Sequence, residues 1–149
     1  MNRLFPFFAL LAALNVCAQG ISNAEVATQE QIRSASCAMN AMPKKSFEAL
    51  LSATRIYMKD KDSIELLRSF NRDDVPTYIA KCFDVHAKQS LAAKKSVRQF
   101  ANFYDGTERA LRLHLVIEVA RRSNQSTDTI RSLNDQMFES LMVFNRENP

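Results

Sequence analysis

Cys37, Cys82, His86 and His114 are the residues of this chain best suited to chemistry once the first eighteen positions are set aside. Cys82 and His86 stand four apart within residues 73–103, which also open the most basic part of the chain. Cysteine and histidine together could supply a nucleophile with its base, or ligands for a metal. A zinc site would call for Cys-x-x-Cys or paired-His spacing, and the chain has neither. Nucleophilic catalysis would call for a frame such as Gly-x-Ser-x-Gly or His-Glu-x-x-His, which is also missing. Glu108 and Glu118 do not define a carboxylate pair by their spacing. The histidines therefore read as core or boundary residues, no cofactor or metal is expected, and the chain reads as non-enzymatic.

A simpler use of the cysteines follows from the start of the chain. Residues 1–18 carry one positive charge, Arg3, then an apolar run over 4–14, with small Val16 and Ala18 where a signal peptidase reads. The apolar run is well short of the roughly 20 residues that span a bilayer, so a cleaved signal ending before Gln19 is expected rather than an anchor. Cleavage removes Cys17 and leaves an even pair. In an oxidising compartment that pair reads as one disulfide, Cys37–Cys82. The expected protein is secreted, or periplasmic if the source is bacterial, and consists of one helical domain over residues 19–149.

The elements that must position these residues are helices. Glycine is nearly absent, tryptophan is missing, and apolar residues recur at spacings of three and four almost throughout. The spacing predicts an all-α bundle of six to seven short amphipathic helices. A first helix runs from Ser22 or Asn23 to about Met42, stopped by Pro43, with Ile32, Ala35, Met39 and Met42 on its apolar face. A second, 45–59, turns Phe47, Leu50, Leu51, Thr54 and Met58 inward. Asp62 and Glu65 have capping-box spacing for a short third. Asp73, Asp74 and Pro76 start a fourth, whose face holds Ile79, Cys82, Phe83 and His86. Gln89-Ser90 divides it from a fifth carrying Leu91, Val97, Phe100, Ala101 and Tyr104. Tyr104-Asp105-Gly106-Thr107 reads as the clearest turn of the chain, with Gly106 free to take a positive φ and Thr107 able to cap the next helix. The sixth helix, 108–122, is the most apolar and is expected at the centre. The last spans 129–145 and carries Ile130, Leu133, Met137, Leu141 and Phe144.

Charge is unevenly spread. Without the signal segment the chain holds 19 Lys and Arg against 16 Asp and Glu. Residues 75–122 hold nine of those basic residues and four acidic ones, so the rest of the chain is net acidic. Lys81, Lys88, Lys94, Lys95 and Arg98 form a candidate basic binding face, suited to an acidic protein, an anionic head group or a glycan. Nucleic acid is a poor fit for an exported chain with no recognised binding motif. Asn124-Gln125-Ser126 is an N-glycosylation sequon in a predicted exposed joint, relevant in a eukaryote.

Two short resemblances can be stated. Two histidines on successive helices resemble the haem-facing pair of globins, although the chain is short for that family and its first helices do not follow the family's aromatic pattern. Residues 80–85, Ala-Lys-Cys-Phe-Asp-Val, resemble the Lys-Cys-Val-Asp run in the third helix of secretoglobins, small secreted proteins that bind apolar ligands. That family's paired terminal cysteines are absent and this chain is nearly twice as long, so membership is not assigned. The expected function is non-catalytic binding to a partner protein. The rivals are a carrier of a lipid or other small apolar ligand, for which the phenylalanines and methionines would supply adaptable lining, and a bacterial periplasmic immunity or inhibitor protein.

Overall fold

The computed structural model describes residues 22–61, 68, 75–82 and 97–149. Every regular element among them is helical: α1 (Asn23–Ala41), α2 (Lys44–Lys59), α3 (residues 75–82), α4 (Val97–Arg122) and α5 (Thr127–Glu147). The described residues are thus all-α, and five helices stand among them where six to seven were expected of the chain. The short helix expected from Asp62 and the break expected at Gln89-Ser90 lie outside the described residues.

Local chemistry explains where the long helices begin and end. The Ser22 hydroxyl accepts a hydrogen bond from the Glu25 amide at 3.2 Å, capping α1. Met42 turns extended and Pro43 prevents continuation. Ser126 repeats the capping device for α5, accepting from the Thr129 amide at 3.2 Å. This cap starts α5 two residues earlier than the spacing predicted.

The expected turn at 104–107 does not exist. α4 runs unbroken through it, and Gly106 has no positive φ. Thr107 does not cap a new helix; its hydroxyl donates to the Phe103 carbonyl at 2.9 Å, one turn back along the same helix. Gly106 leaves room for the end of the Gln31 side chain, reaching across from α1, which a Cβ would overlap.

α4 is the central element, packed against α1, α2 and α5, while α1 also meets α5. The core draws on Ala35 and Ala38 of α1, Leu50 and Leu51 of α2, Ile79 and Cys82 of α3, Leu111, Leu115 and Ile117 of α4, and Met137 and Leu141 of α5. Each large aliphatic side chain buried there contributes about 1.5–3 kcal/mol. Two residues expected inside are outside: Met58 is 41% exposed and Phe100 37%. The inner face of the unbroken α4 runs through Phe103, Thr107 and Ala110, which turns Ala101 outward; Phe100 shares that stripe but lies in the helix's first turn, where it is part-exposed. Cys37 and Cys82 form the disulfide, with Cα atoms 5.9 Å apart, and it ties α1 to α3. No helix of the described residues is long and apolar enough to cross a membrane.

Candidate functional site: an amide-walled cleft

On α1, Thr28, Gln31, Ala35, Ala38 and Met42 follow the three-four spacing of a buried stripe, and all five are buried. The first two are polar. A buried polar group must find a partner or cost about 1–3 kcal/mol. Here the partner is Asn145, near the end of α5. The Gln31 Nε2 donates to Asn145 Oδ1 at 3.0 Å, and the Asn145 Nδ2 donates back to Gln31 Oε1 at 2.7 Å and to Thr28 Oγ1 at 3.0 Å. Gly106 of α4 leaves the space the Gln31 amide occupies. Three helices therefore meet at one satisfied pair of amides.

That pair forms the floor of an open cleft of about 550 Å³, bounded by the first turns of α1, the beginning of α4 and the last turn of α5. Asn23, Gln99, Asn102 and Asn148 supply more amides to its walls, and Val26 and Phe103 supply apolar surface. Phe103 is nearly buried, whereas Val26 is 44% exposed. Asn148 is itself held, its Nδ2 donating to the Phe144 carbonyl at 2.9 Å. Asn102 is engaged as well, its Nδ2 donating to the Asn148 backbone carbonyl at 3.5 Å, and most of the surface lining the cleft is apolar.

The candidate basic face is described in part. Lys81 is exposed on α3 and Arg98 is exposed at the start of α4; Lys88, Lys94 and Lys95 lie outside the described residues. Farther along α4 the arginines have partners within the molecule. Arg122 pairs with Glu118 and, across to α2, with Glu48, both at 2.9 Å. Arg121 reaches Glu118 at 3.8 Å and Arg112 reaches Glu108 at 3.9 Å. The Arg109 guanidinium lies 4.6 Å from the centre of the Phe144 ring. The basic character of residues 75–122 is thus partly neutralised along the C-terminal half of α4.

His86 lies outside the described residues. His114 sits between α4 and α1, with Nε2 3.4 Å from the Ser36 hydroxyl. Burial holds its pKa below the usual 6.5; a hydrogen bond with the Ile32 backbone opposes this and Arg121 adds to it. Asn124 occupies the exposed α4–α5 joint with φ 55°, and Ser126 of the same sequon is the α5 cap. Among the described residues no group of three His, Cys, Asp or Glu side chains is placed to hold a metal ion.

Sequence reasoning missed the cleft and its floor. A usable signal was present, since Thr28 and Gln31 continue the same spacing as Ala35, Ala38 and Met42. Asn145 carried no such mark. Comparison with protein-family models, with curated proteins and with solved structures found no match to this chain.

Proposed function

We propose that this chain is an exported helical protein that works by non-catalytic binding to a partner protein, outside the cell or in a bacterial periplasm. The observation that carries this reading is the open surface cleft where the ends of α1 and α5 meet the beginning of α4. The Cys37–Cys82 disulfide supports an oxidising compartment. An inhibitor or immunity protein is one form such a binder could take.

A protein partner can use both kinds of surface the cleft offers, packing on Val26 and bonding to the Asn23 amide.

Native mass spectrometry of the protein recovered from its own compartment tests the proposal. The expected spectrum shows the processed chain in stoichiometric complex with a second polypeptide. The chain on its own, or carrying an adduct of lipid mass, would overturn it, the latter in favour of a carrier.

A further inference from the structure

Asn124 and Ser126 of the Asn124-Gln125-Ser126 sequon each serve the fold as well. α4 ends in a Schellman turn: the Gln125 amide donates to the Ala120 carbonyl and the Asn124 amide to the Arg121 carbonyl, both at 3.1 Å. Asn124 is the left-handed residue of that turn, at φ 55°, a place asparagine takes where glycine is absent. Ser126 caps α5; its hydroxyl accepts from the Thr129 amide at 3.2 Å and lies 2.9 Å from the Thr129 hydroxyl. Residues 121–129 are all exposed, and the Asn124 carboxamide has no hydrogen bond among the described residues. The joint thus holds the sequon's backbone and its serine but leaves the asparagine side chain to solvent.

That arrangement bears on when and where a sugar can be attached. N-glycosyl transfer requires the asparagine carboxamide and the hydroxyl two residues on, in a segment the transferase can draw into its site. In the folded joint the hydroxyl is committed to α5 and two amides are committed to α4, so entry would unwind both helix ends. In the emerging chain all three are free. A sugar already in place displaces no contact when the joint closes, because the carboxamide faces water. The cleft is also out of reach: from Phe103 in its wall to Arg122 beside the joint, α4 covers about 30 Å. A glycan on Asn124 leaves the cleft open.

We propose that Asn124 carries an N-linked glycan, added in a eukaryotic secretory route before the α4–α5 joint closes. The carboxamide nitrogen bonds to the anomeric carbon of a lipid-diphosphate-linked oligosaccharide. The bond from that carbon to the diphosphate breaks, the diphosphate leaves with its lipid, and the nitrogen gives up one proton. This assignment rests on the export reading above and takes its eukaryotic form.

Mass spectrometry of peptides from the natively exported protein tests it, before and after an amidase that releases N-glycans and leaves aspartate at the attachment site. A glycan on Asn124 is expected; a bare Asn124 in the exported chain would overturn the proposal. Variants secreted from cultured animal cells separate the two uses of the motif. Ser126→Thr keeps both a cap and a sequon and should keep the glycan. Ser126→Asp keeps a cap and Asn124→Gly suits the left-handed position, so both should lose the glycan at unchanged helix content by circular dichroism. A glycan retained by either would set the attachment elsewhere. The folded, unglycosylated chain offered to a solubilised transferase and its lipid-linked donor should stay bare, and its modification would overturn the order of events. The failures are distinguishable. A processed chain with bare Asn124 in complex with a second polypeptide sinks the glycan alone. A glycosylated chain recovered without a partner sinks partner binding alone, and a chain still carrying residues 1–18 sinks export and glycan together.

Discussion

Between α1 and α4, the His114 imidazole faces the Ser36 hydroxyl and the Ile32 backbone, and burial keeps it neutral to lower pH than a free histidine. The consequence for stability has a definite sign. The unfolded chain takes up its proton at about pH 6.5, before the folded chain does, so acid draws the equilibrium toward unfolding. The contribution is complete above that pH and is lost as pH falls toward the lower, folded value. Urea midpoints measured from pH 7.5 down to about 5 should decline, and His114→Gln should remove a distinct part of that decline. A variant that declines as steeply as the wild type would assign the effect to other groups. The Gln31–Asn145 pair shows the limit of reading at this scale. Sequence spacing can show that Gln31 shares a stripe with alanines, but its partner lies 114 positions away. Nothing local announces that contact.

At the scale of elements, the boundaries set by local chemistry were legible and the one set by packing was not. Ser22, Pro43 and Ser126 act within their own neighbourhoods, through a cap hydroxyl or a missing amide hydrogen. Gly106 does not. Its type is the same whether a turn needs a positive φ or a helix needs room for a neighbour, and the neighbour, Gln31, belongs to α1. Thr107 is equally ambiguous, since its hydroxyl can cap a helix or bond back into one. The two uses of Gly106 predict opposite responses to alanine. In a tolerant helix interior, Gly106→Ala would stabilise by about 1 kcal/mol through propensity. Here the Gln31 amide is tied to Asn145 and cannot retreat, so overpacking should win. A net loss of about 1–2 kcal/mol is expected, read as a lower urea midpoint. A gain in stability would show that α1 can shift aside.

At the scale of the whole molecule, composition and spacing were sufficient for the helical class and for the cysteine pair. They could not show that three long helices meet at a cleft floored by a pair of amides, because its lining comes from α1, α4 and α5 and looks like ordinary surface residues in the sequence. The disulfide closes a loop with a sequence separation of 45 residues. In the chain-entropy account that closure contributes about 4 kcal/mol, so Cys82→Ser should lower the unfolding free energy by roughly that amount and reduction of the wild type should match it. A much smaller loss would mean that the reduced, unfolded chain already keeps α1 near α3. The position of the bridge along the chain also has a consequence for biogenesis. Both cysteines precede α4, so during synthesis they emerge before the helix against which α1 and α2 pack has been made. On the export proposed above, the thiols meet an oxidising environment as members of a half-built protein. Correct pairing at that moment has to come from the upstream segments themselves, or wait until α4 arrives and brings the two sulfurs together.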